Sequence, residues 1–318
     1  MDVLLGNRYR THELIGSGGA ASVYRAVDEN LGRDVAVKLF NPGLSEDDEM
    51  RRQHTEMMLL ATLNHPGLVT LLDAGIHEDG SGRSSSYLVM ELVDGPDLRS
   101  RLKEGALPGQ ATASLGADLA DALSYVHDHG VIHRDVKPAN ILLFPQNEHD
   151  TRLYPQLTDF GIARMVDATV ATAQGATIGT ANYLSPEQAQ GTTVEPRTDI
   201  YSLGLVLLEC LTGEKAFPGP VVEAAIARLL RDPEVPDFLG GEWVELLRAM
   251  TARTVQARPH AHEAASTLRL LAVETDTAGP GTLARVAGGP ADPDTGTGGI
   301  TTGNIYIPAP PDRAPTLG

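Results

Sequence analysis

The sequence predicts an α+β fold of two lobes: a small antiparallel β-rich lobe with one main helix, then a larger, mainly helical lobe. Three observations predict it. The first ninety residues alternate short β-branched and aromatic runs with turn signals. From Asp97 onward helical periodicity dominates, and near residue 275 the composition turns abruptly to Gly, Pro and Thr. The expected boundaries are therefore residues 1–93 for the first lobe, 94–274 for the second, and 275–318 for a disordered tail.

The elements follow in order. Residues 9–16, 21–28 and 33–40 read as three antiparallel strands, with Glu29-Asn30-Leu31-Gly32 as the turn between the last two. Ser45 is placed to cap a helix over 46–63 that carries Met50, Met57 and Leu60 on its apolar side. Two more strands are expected at 68–76 and 87–92, separated by the polar loop 79–86. Beyond Asp97 the helical signal is broken by a loop-rich centre between Val131 and Glu187. The tail holds 9 of the 33 Gly and 7 of the 21 Pro, and its lack of apolar periodicity leaves nothing to offset the entropy of ordering it.

Charge and composition exclude several functions. Asp plus Glu number 42 against 25 Lys plus Arg, a net charge of −17, whereas nucleic acids and anionic membranes select basic surfaces. The single cysteine, Cys210, cannot form an intramolecular disulfide, which fits a reducing cytoplasm. The first residues show no basic segment followed by an apolar one, and the apolar stretch at 203–211 is interrupted by Gly204 and Glu209. A soluble, cytoplasmic protein without a membrane span is the expectation.

The chemistry-bearing residues begin with Gly16-Ser17-Gly18-Gly19-Ala20-Ala21-Ser22-Val23 between the first two strands. Glycines there let backbone N–H groups approach phosphate oxygens, although a plain hairpin turn uses glycine equally well. The order strand, glycines, strand argues against a dinucleotide fold, in which the glycines open a helix. Lys38 interrupts the apolar third strand after Val35-Ala36-Val37, where a cation is costly unless paired. Glu56 on the following helix is the preferred partner, with Glu49 the second choice. His133-Arg134-Asp135-Val136-Lys137-Pro138-Ala139-Asn140 then sets five fixed residue types in one run, followed by Asp159-Phe160-Gly161 and Ser185-Pro186-Glu187.

With those motifs in that order, residues 9–271 resemble the protein-kinase family. Three phrases resemble the bacterial Hanks-type serine/threonine kinases of the PknB kind. These are His65-Pro66-Gly67-Leu68-Val69, Asp159-Phe160-Gly161-Ile162-Ala163-Arg164 and the run from Gly179-Thr180-Ala181-Asn182-Tyr183 to Ala189. The resemblance implies a bilobal kinase fold and transfer of the ATP γ-phosphate to Ser and Thr hydroxyls of proteins. It implies that Gly16, Gly18 and Val23 cover the nucleotide and that Ala36 and Leu142 flank it. Glu91 and Val93 would offer backbone groups to adenine, after Met90. Lys38 would hold the α- and β-phosphates, positioned by Glu56, and Lys137 would contact the γ-phosphate. Asp135 would accept the substrate proton, while Asn140 and Asp159 would hold Mg2+, with Mn2+ as an alternative. The third glycine of the family's phosphate loop is Ala21 here, the one departure among these motifs.

The same resemblance places Arg134 beside an activation loop running from Asp159 to Glu187, which offers Thr169, Thr172 and Thr177 for phosphorylation. Thr172, eight residues before Thr180, is the principal expected site, and Thr180 reads as a structural hydroxyl. Arg258 is expected to pair with Glu187. Leu60, Leu71, Phe160 and His133 are expected to form an internal column standing on Asp199. Pairing through the first lobe into a homodimer, and phospho-threonine readers for the eight tail threonines, complete the expected partners. His127, His129 and His133 fall within seven residues, but a cation at a helix C-terminus explains the first two better than a metal does. Retention of Lys38, Asp135, Asn140 and Asp159 argues against a pseudokinase scaffold. The loop 179–187 argues against a small-molecule phosphotransferase.

Overall fold

A computed structural model of the chain describes residues 2–19, 21–41, 62–145, 152–159 and 180–277. The expected helix over 46–63, with Glu49, Glu56 and Leu60, lies outside the described residues almost entirely. So do Phe160, Thr169, Thr172, Thr177 and the tail from 278.

The first lobe is a six-stranded antiparallel sheet in the order β1-β2-β3-β4-β6-β5. Its strands are β1 (Leu4–Leu5), β2 (Tyr9–Ser17), β3 (Ala21–Asp28), β4 (Arg33–Phe40), β5 (Leu71–Glu78) and β6 (Ser84–Glu91). The register follows from alternation. Val35 and Val37 are fully buried in a cluster with Leu5, Tyr9, Ala26, Tyr87 and Val89. β5 begins and ends later than residues 68–76, because Asp79 gathers the turn that follows it. Its side chain accepts the N–H groups of Ser81 and Arg83, so the chain reverses within residues 79–83 and β6 starts at Ser84. The short β1, paired with β2, carries no sequence signal of its own.

The second lobe is built on α2 (Gly109–Asp128) and α4 (Arg197–Thr212), with α1 (Leu98–Leu102), α3 (Pro186–Gln190), α5 (Val221–Leu230), α6 (Gly241–Met250) and α7 (Ala261–Thr277) around them. Every residue of α4 from Thr198 to Cys210 is buried, the pattern of a helix enclosed on all sides. Two of its neighbours require small residues. A Cβ at Gly116 would meet the Leu207 Cδ2 at 2.9 Å, and one at Gly204 would meet the Thr251 Cγ2 at 2.8 Å. The final helix runs to Thr277, three residues past the expected boundary at 274. Leu268 and Leu271 anchor it against the core, and the first helix breaker, Gly279, comes only afterwards.

The expected loop-rich centre contains a two-stranded hairpin, β7 (Ile141–Pro145) with β8 (Leu153–Leu157). Ile141 and Leu157 pair across it, both fully buried, and fix the two segments that carry the site. Among the described residues no helix is long and apolar enough to cross a membrane.

Candidate active site

Lys38 stands near the end of β4, paired in register with Val23 on β3 and Leu88 on β6. Its Nζ lies 2.7 Å from Asp159 Oδ1, with the two side chains 17% and 33% exposed, so the pair joins the lobes at a partly solvated point. Gly16 sits opposite Val23, and the N–H of Gly18 donates to the carbonyl of Ala21 at 2.9 Å. The residue departing from the family glycine thus starts β3 as an ordinary, buried strand residue. Ala36 is buried opposite Met90, and Leu142 lies half-buried on β7.

The Glu91 side chain turns away from the strand end. Its Oε1 accepts the Thr70 N–H at 2.8 Å and the Gln156 Nε2 at 3.1 Å, tying β6 to β8. A Cβ on Gly95 would collide with the Leu143 carbonyl oxygen, so only glycine lets the connection between the lobes pass this close to β7.

Between α2 and β7 runs the loop carrying Asp135. Its Oδ2 accepts from Lys137 Nζ at 2.7 Å and from Asn140 Nδ2 at 3.1 Å, and its carbonyl accepts from the same Nδ2 at 2.9 Å. Asn140 closes a short 3-10 turn, Pro138–Asn140, and is only 4% exposed. Those contacts fix which way the Asp135 carboxylate and the Asn140 amide face.

The loop is held from below by Asp199, buried at the start of α4. Its Oδ2 accepts the His133 N–H at 2.9 Å and its Oδ1 the Arg134 N–H at 2.8 Å, while His127 Nε2 lies 2.8 Å from Oδ2. Asp199 stands beneath His133, and His127 lies in the last turn of its helix, both as the sequence leads one to expect. The structure makes His127 a partner of Asp199, and among the described residues no cluster of three His, Cys, Asp or Glu could hold a metal. His133 is fully buried, with Nε2 at 3.0 Å from the Thr158 carbonyl and Nδ1 accepting the Asp135 N–H at 3.3 Å. Burial pushes its pKa below 6.5 despite the facing carboxylates of Asp199, Asp135 and Asp159.

Arg134 and Asp159 both adopt positive φ, at 65° and 60°. Non-glycine residues take that conformation only where surrounding contacts over-determine it, and both adjoin the Lys38–Asp159 and Asp135 clusters. On the far side, Gln188 Nε2 donates to the Arg134 carbonyl at 2.7 Å. Gln188 belongs to α3, whose cap Ser185 accepts the Gln188 N–H while the Gln188 side chain accepts the Ser185 N–H. Arg258 forks onto Glu187 at 2.7 and 2.9 Å, and Thr198 donates to the same carboxylate at 2.7 Å. Burial alone would raise the Glu187 pKa; the Arg258 and Thr198 hydrogen bonds outweigh it and hold the group below 4.5. The Gln188 brace, the Glu91 tie and the Tyr183 hydroxyl donating to Glu209 were not visible in the sequence, because each joins segments far apart along the chain.

A sheet lobe whose lysine reaches an aspartate of a helical lobe, over a loop bearing Asp135, Lys137 and Asn140, is the architecture of a bilobal phosphotransferase fold. The protein kinase domain model matches residues 9–268. The chain is 40% identical over 259 residues to the serine/threonine-protein kinase PknB of Mycobacterium leprae, across 80% of this chain and 40% of that protein. It is 41% identical over 237 residues to PknA of Mycobacterium tuberculosis, across 74% of this chain and 53% of that protein. Against PknB of Mycolicibacterium smegmatis it is 43% identical over 236 residues, covering 73% and 37%. The chain belongs to the protein kinase domain family. It spans about half the length, or less, of these curated relatives.

Proposed function

We propose that this chain is a serine/threonine protein kinase that moves the γ-phosphate of ATP onto Ser and Thr hydroxyls of proteins. The observation that carries the reading is the Asp135 carboxylate, oriented by Lys137 and Asn140 and only partly buried. An acceptor hydroxyl delivers its proton to Asp135 as its oxygen bonds the γ-phosphorus, while the bond from that phosphorus to the bridging oxygen of ADP breaks. Lys137, a point charge beside the same carboxylate, meets the transferring phosphoryl group. Lys38 holds the α- and β-phosphates, with Glu56 as its positioning partner. The amides around Gly16 and Gly18 cover them, and Val23, Ala36 and Leu142 enclose the adenine, which the backbone of Glu91 and Val93 reads.

The donor set suits a hard divalent ion. With Nδ2 committed to Asp135, Asn140 presents its amide oxygen, and Asp159 adds a carboxylate one-third exposed. Mg2+ is the ion proposed, with Mn2+ as the alternative; when bound, it offsets the charge that grows between the β- and γ-phosphates. Thr172 is proposed as the main autophosphorylation site, with Thr169 and Thr177 secondary and Arg134 as the phosphate's partner. Pairing of two first lobes into a homodimer is proposed for its assembly. The tail threonines are proposed to present phosphate to reader domains. The net charge of −17 and the lone buried thiol of Cys210 support a cytoplasmic enzyme without nucleic-acid or membrane partners.

Incubation with ATP and magnesium, followed by mass spectrometry, is expected to find phosphate on Ser and Thr. Asp135→Asn is expected to reduce its incorporation about 100-fold or more. Wild-type protein that phosphorylates no protein substrate overturns the kinase reading. Undiminished transfer by Asp135→Asn overturns the assignment of the base, and active enzyme unmodified at Thr172 overturns that site.

A further inference from the structure

The kinase reading leaves one buried cation unused. Arg228 on α5 is fully buried, yet among the described residues no carboxylate lies within ion-pair reach of it. Its Nε donates to the Ala224 carbonyl at 2.9 Å, its guanidinium lies 5.2 Å from the Phe217 ring centroid, and its Nη1 donates to the Leu184 carbonyl. Nη2 finds no hydrogen-bond partner among the described residues. Burial brings its pKa down to about 10, so the group remains charged at neutral pH. A buried cation with no counter-ion and an orphaned donor is a poor way to stabilise a core, where a long apolar side chain would serve better.

What an apolar side chain could not do is reach the Leu184 carbonyl. Leu184 lies between Tyr183, whose carbonyl accepts from Ser202 Oγ at 2.8 Å, and Ser185, the cap of α3. Three residues further on, Gln188 grips the carbonyl next to Asp135. The segment 183–188 therefore runs from the core of the second lobe to the edge of the Asp135 loop. The segment packs against α5 and borders an open groove lined by Pro186, Glu187, Gln190 and Leu229, and the Arg228 hydrogen bond adds a fixed polar tie between the two.

We infer that Arg228 is a positioning residue for the protein substrate: through the Leu184 carbonyl it sets the backbone beside Asp135 along which the acceptor peptide lies. The inference rests on the kinase reading. The nucleotide groups, Lys38 and the glycine turn, stand on the other lobe and do not depend on this contact.

The test is steady-state kinetics on Arg228→Met, with a protein or peptide substrate that the wild type phosphorylates, alongside thermal unfolding. Arg228→Met is expected to raise the peptide KM about tenfold, with kcat and the ATP KM within about twofold of wild type. Its unfolding temperature is expected to be unchanged or higher, since the substitution removes an unpaired buried charge. Arg228→Lys, which keeps one donor for the Leu184 carbonyl, is expected to recover most of the peptide affinity. A peptide KM within about twofold of wild type, or an ATP KM that rises in parallel, overturns the inference. Should Arg228→Met fail to fold, Arg228→Gln is judged by the same two criteria. A wild type that phosphorylates nothing sinks the kinase reading instead, so the two failures are distinct.

Discussion

Asp199 Oδ1 accepts the backbone N–H of Arg134 at 2.8 Å, and Arg134 is held there at a φ of 65°. A left-handed non-glycine residue costs on the order of 1–3 kcal/mol, which the loop bears because one fully buried carboxylate takes two successive amides and His127 besides. Asp199 therefore acts on Asp135 without touching the reacting atoms. Asp199→Asn keeps the shape but swaps one acceptor for a donor facing N–H groups. It is expected to destabilise the fold by about 2–3 kcal/mol in urea unfolding. It should also lower kcat about tenfold or more while the ATP KM stays within about threefold. Unchanged kcat would show that Asp135 does not need the strained turn.

Glu187 and Arg258 form a fully hydrogen-bonded pair away from solvent, the side chains 7% and 0% exposed. Removing one member leaves the other buried and charged. Arg258→Ala is expected to cost about 3–5 kcal/mol. The double substitution Glu187→Gln with Arg258→Met, which strands no charge, is expected to recover much of that loss. Chemical denaturation of the three proteins reads the difference, and a double variant no better than Arg258→Ala would refute the account.

His133 sets a pH dependence. Burial depresses its pKa below the unfolded value of 6.5, so the unfolded chain takes up a proton the folded one refuses. Stability therefore falls as pH drops through 6.5, by up to about 1.4 kcal/mol per unit, and goes on falling until the folded pKa is reached. Half-buried His65 is shifted in the same direction by the same cause. His133→Phe is expected to flatten the stability profile between about pH 7 and 5.5, leaving the contributions of His65 and Glu209. An NMR titration in which the His133 ring protonates near pH 6.5 would contradict the argument.

The sequence made the two lobes, the three leading strands and the catalytic loop legible because those signals are local. Alternating apolar residues, glycines between strands and a fixed run from His133 to Asn140 need no partner to be recognised. What it left hidden is relational. Lys38 touches Asp159, 121 positions away, and nothing in the run Val35-Ala36-Val37-Lys38 points to that contact. His127 does lie in the last turn of α2, but nothing in its own helix points to its contact with Asp199, 72 positions on. Arg228 carries no motif at all; its burial and its reach to Leu184 exist only once α5 is packed.

Glu209 reverses the usual behaviour of a carboxylate in this fold. It is 8% exposed on α4, and burial raises its pKa above 4.5 although the Tyr183 hydroxyl donates to it and Lys215 attracts it. The folded chain thus holds this proton more tightly than the unfolded chain, and the group detracts from stability once pH rises through the folded pKa. Glu187 has the opposite sign, its contribution being lost as pH falls below 4.5. Comparing wild type with Glu209→Gln isolates the first effect, because Glu187 and His133 are common to both. The amide still accepts from Tyr183 and carries no charge to desolvate. Glu209→Gln is expected to unfold at a higher temperature than wild type at pH 7.5, with the gap closing as pH falls through the folded pKa to 4.5 and levelling off below it. A gap that stays constant across that range would mean that burial does not oppose ionisation at Glu209.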